Sequence, residues 1–110
     1  MRPFDVPTVS IDTIPDDAVL LDVREPDEWA AGHIEGAQHV PMNEIPARTG
    51  ELDAGADIVV VCKVGSRSAQ VTAWLNRQGY RASNLDGGML AWAVTHRPMV
   101  SDTGAPPDVI

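Results

Sequence analysis

One run of residues constrains this 110-residue chain more than any other: Ile58–Cys62, IVVVC. It is continuous, apolar and β-branched, the pattern of a central strand buried on both faces. It ends in the only cysteine of the sequence. Lys63-Val64-Gly65-Ser66 follows, and then the strongest helix signal of the chain, Arg67–Gln78. Val71, Trp74, Leu75 and Gln78 share one side of that helix, and Ala69, Thr72 and Ala73 broaden it. Gly79 is placed to end it in a left-handed turn. The unit is therefore a buried strand, a tight loop and a helix, with Cys62 at the strand's carboxyl end.

The rest of the chain repeats this alternation. Strands are expected at Thr8–Ile11, Val19–Val23, Gln38–Val40 and Tyr80–Leu85. Thr13–Asp17 has cap chemistry, with Pro15 at a first helical position. Glu25-Pro26-Asp27-Glu28 reads as a helix start, proline early and acids in the first turn, stopping at Gly32. Asn43–Arg48 reads as one or two helical turns ended by Gly50, and Met89–Thr95 as a short helix after Gly87-Gly88. Strands separated by short helices predict an α/β fold, a central and mainly parallel sheet of about five strands with helices on both faces. In such sheets chemistry sits beyond the carboxyl ends of the strands, where Cys62 lies. The organisation expected is an extended lead-in over residues 1–7, one domain over 8–97, and a flexible proline-rich tail over 98–110.

Composition narrows the function. Sixteen acids against eight bases give a net charge of −8, which argues against general nucleic-acid binding. No run approaches the ~20 apolar residues of a membrane span, and MRPFDVPTVS at the start lacks an apolar signal region. A single cysteine makes no intrachain disulfide, so a cytoplasmic protein without membrane association is expected. Lys63, Arg67, Arg77 and Arg81 are all the charges between Asp57 and Asp86, a local basic stretch able to draw an anion.

A loop curling into a helix start aims successive backbone N–H groups inward and makes an anion site. A thiol at its centre has a lowered pKa, and Lys63 and Arg67 add to that field. Gly65 lets the loop backbone close without a Cβ. The plain alternative is that Cys62 is a small hydrophobe ending a strand.

At this point the sequence resembles a family. CKVGSRS, residues 62–68, resembles the active-site loop of single-domain rhodaneses, the thiosulfate sulfurtransferases. LLDVREPDEWAAGHIEGAQHVP, residues 20–41, and NLDGGMLAW, residues 84–92, resemble two further hallmarks of that family, in the right order. The resemblance spans about residues 8–96. It implies a rhodanese-like fold and an enzyme in which Cys62 takes a sulfane sulfur from thiosulfate or a persulfide donor, becomes a persulfide, and passes the sulfur to an external thiol or cyanide. Lys63, Val64, Gly65, Ser66, Arg67 and Ser68 would form the binding loop. Asp22 and Arg24, as an ion pair, and Gly87 with Gly88, through close backbone approach, would support it. The partners implied are a small anionic sulfur donor and an external thiol or protein sulfur acceptor, with no cofactor and no metal.

Two other functions stay open. One is a sulfur-carrier or regulatory binding module with little turnover of small substrates. The other is a phosphatase or arsenate reductase of the same fold, disfavoured because those loops place five residues between cysteine and arginine, whereas four intervene here. His33, His39 and His96 lack metal-ligand spacing on one element. Trp29, Trp74 and Trp92 read as packing residues, and the EPDE acids as helix-start charges.

Overall fold

The computed structural model describes residues 6–110. Most of the lead-in expected over residues 1–7 lies outside that range. Five strands, β1 (Thr8–Val9), β2 (Val19–Asp22), β3 (Gln38–His39), β4 (Asp57–Val61) and β5 (Arg81–Leu85), form one sheet in the order β1-β5-β4-β2-β3. Every pairing is parallel, with Val60 of β4 level with Leu21 of β2 and Asn84 of β5. Three α-helices join them: α1 (Pro26–Ala31), α2 (Ser66–Arg77) and α3 (Gly88–Val94).

The β-branched run forms the sheet's centre because its alternate residues feed two cores. Ile58, Val60 and Cys62 face one side, with Leu21, Val23, Val71 and Leu75. Val59 and Val61 face the other, with Leu85, Met89 and Trp92. The sheet is thus covered on both faces, α2 lying on one and α3 on the other. Cys62 falls just beyond the end of β4 and keeps its alternation, so its side chain belongs to the α2 side.

α2 stops where Gly79 adopts φ +95. The Gly79 N–H donates to Asn76 O, and the Tyr80 N–H to Leu75 O, satisfying two terminal carbonyls. The Asn76 side chain then holds Ala82 of β5 through both its backbone groups, at 3.0 and 2.8 Å.

Three local expectations are corrected. Residues 13–17 form no helix; a 3-10 turn sits earlier, at Ile11–Thr13, where the Ser10 N–H donates to Thr13 Oγ1 at 2.9 Å. Its following residue Ile14 is extended, so Pro15 continues a loop. Residues 43–48 are split into a 3-10 turn at Met42–Glu44 and plain turns, and Gly50 lies inside a second one, Thr49–Glu51, instead of ending the first. Arg48 bridges the two through Glu44 and Glu51, at 3.0 and 2.7 Å. The strand expected at Thr8–Ile11 is cut to two residues by the 3-10 turn.

Residues 98–110, expected as a flexible tail, run back over α1 and the α3 core. Val100 and His33 exchange backbone hydrogen bonds at 2.9 Å, and the Asp108 N–H donates to Ala31 O at 2.9 Å. Trp92 Nε1 donates to Pro98 O at 3.0 Å, and Met99 and Val109 pack against the core. Among the described residues, no helix is long and apolar enough to cross a membrane.

Leu75 exposes none of its surface and joins α2 to the sheet. Leu75→Ala is expected to cost about 2–5 kcal/mol, read as a lower urea midpoint with an unchanged m-value.

Candidate active site

Cys62 is fully buried, yet polar groups surround its sulfur. The Gly65 N–H donates to Sγ at 3.1 Å, and Ser68 Oγ lies 3.2 Å away. Burial pushes the thiol up. The hydroxyl and amide of Ser68 and the amides of Gly65 and Val64 outweigh it, and the thiol lies below its ordinary value. The amides substitute for water around a negative sulfur.

The loop adopts this shape for reasons of backbone geometry. Gly65 has φ +111, a conformation that strains any residue with a side chain, and its turn leads directly into α2. Each peptide that aims its N–H inward aims a carbonyl outward, and those carbonyls need partners. α3 supplies two such partners: the Leu90 N–H donates to Lys63 O, the carbonyl of the Val64 amide's own peptide, at 3.1 Å, and the Met89 N–H donates to the neighbouring Cys62 O at 2.8 Å. The approach is so close that a Cβ on Gly88 would meet Cys62 O and lie 2.7 Å from Lys63 O. Of the two glycines expected at this close approach, Gly88 is the one whose Cβ would strike the loop backbone. Gly87, at φ +75, shapes the turn before α3, and a Cβ there would lie 2.7 Å from Ala91 Cβ.

Arg67, at the start of α2, holds Glu28 of α1 in a two-pronged ion pair of 2.7 and 2.9 Å. That hydrogen bond pulls the Glu28 carboxyl below the usual range against the opposing effect of burial. The same contact, with Cys62 nearby, raises the Arg67 guanidinium further. Glu28 is the helix-start charge that its position predicts: its Oε1 accepts from the Glu25 N–H at 3.0 Å. Its second task, across 39 residues, carries no local sequence signal. The basic stretch is consequently weaker than its count, because Arg67 is paired with Glu28 and Arg81 with Asp57 at 3.0 Å. Lys63 and Val64 sit at the rim, with Val64 53% exposed, and Ser66 opens α2.

Asp22 and Arg24 form the expected ion pair, wholly buried, with Arg24 Nε and Nη2 on the carboxylate at 2.8–3.1 Å. Nη2 also donates to Gly32 O at 2.8 Å. The pair thereby ties the end of β2 to the end of α1; among the described residues it makes no hydrogen bond to residues 62–68. His39 Nε2 donates to Arg24 O at 2.8 Å. Trp29 stacks on both His33 and His39, ring centres 3.6 and 4.7 Å away. Among the described residues no cluster of histidine, cysteine and acidic side chains has metal-binding geometry. Asn84 was not singled out from the sequence. It is buried on β5, with Nδ2 donating to Gly65 O at 3.1 Å and Oδ1 accepting from Ser68 Oγ at 2.5 Å.

Comparison with known proteins agrees with this geometry. Residues 11–95 match the model of the rhodanese-like domain. A protein named sulfurtransferase from Allochromatium vinosum is 43% identical over 90 residues, covering 81% of this chain and 84% of that one. A thiosulfate sulfurtransferase, GlpE, of Pseudomonas fluorescens is 38% identical over 85 residues, covering 76% and 78%. A crystal structure of a rhodanese-related protein from Thermoplasma volcanium superposes with a TM-score of 0.79 at 26% identity, covering 86% and 97%.

Two outcomes test the site. Gly88→Ala is expected to cost ~1–3 kcal/mol from its backbone angle alone, with further loss as the new Cβ forces the cradle open, seen as faster trapping of Cys62 by a thiol reagent. The Glu28 contribution to stability is complete above its unfolded-state value of ~4.3 and disappears as pH falls through its lower folded-state value. In Glu28→Gln the unfolding free energy should lose that acid-limb decline; an identical pH profile in both proteins would remove the ion pair from the stability account.

Proposed function

The chain belongs to the rhodanese-like domain family, and from that premise we propose that it is a sulfurtransferase working through a Cys62 persulfide. The observation that carries the reading is the inward set of amides and the Ser68 hydroxyl around one buried sulfur. Such preorganised donors favour negative charge on sulfur and need no rearrangement as it forms.

The Cys62 thiolate attacks the outer sulfur of thiosulfate or of a persulfide. A bond forms between Sγ and that sulfur as the donor's own sulfur–sulfur bond breaks, and sulfite or a thiolate leaves with the electron pair. The product is an anionic persulfide whose terminal sulfur rests among the amides of residues 63–67. An external thiolate or cyanide then attacks the terminal sulfur, and Cys62 leaves as thiolate, restoring the start. No second cysteine exists in the sequence to resolve the persulfide, so the acceptor is another molecule. Lys63 and Arg67 are the cations beside the sulfur loop that would attract an anionic donor, with Arg67 held in place by Glu28.

Intact mass after incubation with thiosulfate is the direct test. A reducible gain of one sulfur atom is expected, lost in Cys62→Ser, together with thiocyanate formation on adding cyanide. Thiocyanate formed equally by Cys62→Ser would defeat the assignment. A loaded persulfide that discharges to protein thiols and only poorly to cyanide would identify a carrier.

A further inference from the structure

Asn84 touches two parts of the cradle, and its orientation is forced. The Gly65 carbonyl can only accept, so Nδ2 faces it at 3.1 Å, and Oδ1 is left facing Ser68 Oγ at 2.5 Å. Ser68 Oγ also lies 3.2 Å from Cys62 Sγ. All three side chains are buried, so each hydrogen bond among them counts.

A serine hydroxyl carries one proton. With Cys62 as a thiol the chain is satisfied: the S–H donates to Ser68 Oγ, and the Ser68 O–H donates to Asn84 Oδ1. With Cys62 as a thiolate the sulfur has no proton to give. The Ser68 O–H must then turn to Sγ, and two oxygens face each other at 2.5 Å with no hydrogen between them.

We propose that Asn84 is a positioning residue that competes with Cys62 for the single hydroxyl proton of Ser68, and so governs how readily Cys62 becomes a thiolate. The Ser68 hydroxyl is a two-position switch, aimed at Asn84 beside the thiol and at Sγ beside the thiolate. The consequence for turnover rests on the sulfurtransferase reading. Once sulfur is loaded, the charge moves about 2 Å outward along the new sulfur–sulfur bond, and the hydroxyl is free to return to Asn84. Asn84 thus penalises the empty thiolate more than the loaded persulfide.

Charged groups border the cradle from several elements: Lys63 in the loop, Arg67 of α2 with Glu28 of α1, the Asp22–Arg24 pair at the end of β2, and Asp86 after β5. None is altered by substituting Asn84, so a change in Cys62 acidity isolates the hydroxyl. Nor does the substitution orphan the Gly65 carbonyl, which also accepts from the Ala69 N–H at 3.1 Å.

The test is the pH dependence of iodoacetamide alkylation of Cys62 in the full chain, which needs no sulfur donor and stands even if no persulfide forms. Asn84→Ala and the bulkier Asn84→Leu are expected to lower the apparent pKa by about half to one unit, as the hydroxyl is released to the thiolate. Ser68→Ala is expected to raise it by a similar amount. In the Ser68→Ala background either Asn84 substitution should have no further effect. The proposal is overturned if the Asn84 variants raise or leave unchanged the pKa, or shift it equally with and without the serine hydroxyl. The leucine variant fills the space that alanine empties, so one of the two remains readable if the cavity unfolds the other.

Discussion

A sulfur shut away from the surface must be solvated by the chain, and this requirement organises the structure. Burial alone would hold Cys62 as a neutral thiol. The amides of Val64, Gly65 and Ser68 and the Ser68 hydroxyl reverse that. Amides aim inward only if their carbonyls find partners outside. The start of α3 holds the first two carbonyls of the loop, Cys62 O and Lys63 O, through Met89 and Leu90, and Gly88 lets the helix come close enough. A parallel sheet then places the cradle: β4 delivers Cys62 to the carboxyl edge, and α2 begins three residues beyond Lys63.

The second layer is ionic, and its two pairs differ in kind. Glu28 and Arg67 link α1 to the start of α2 at the cradle's edge, partly in solvent, where the two-pronged geometry fixes the guanidinium's position. Asp22 and Arg24 are wholly buried. Removing either partner would leave an uncompensated charge in the interior, which costs far more than the intact pair contributes. That pair also satisfies the carbonyl of Gly32 where α1 ends, so it holds the path from β2 through α1 and not the sulfur loop itself.

Much of this was legible in the residues. The alternating destinations of Ile58–Cys62 follow from the strand period, and the end of α2 follows from Gly79. The resemblance of residues 62–68 and 84–92 pointed to the meeting of cradle and α3. What was not legible depends on contacts far apart in sequence. Glu28 looks the same whether it serves only its own helix start or also reaches Arg67. Asn84 lies in a strand whose pattern, Arg-Ala-Ser-Asn-Leu, does not tell which side chain meets the sulfur loop. The 3-10 turns at Ile11–Thr13 and Thr49–Glu51 are set by one or two polar side chains, Thr13 for the first and Arg48 for the second, too few to leave a periodic signal.

The central claim is that the folded chain prefers a negative sulfur at position 62 over a neutral one, relative to the same sulfur in water. Titrating the thiolate's ultraviolet absorbance in the native protein and again in denaturant measures that preference directly, since Cys62 is the only thiol. The account predicts a native midpoint below the unfolded one, which lies at ~8.5. A native midpoint at or above the unfolded value would mean that burial wins over the amides, and would contradict it.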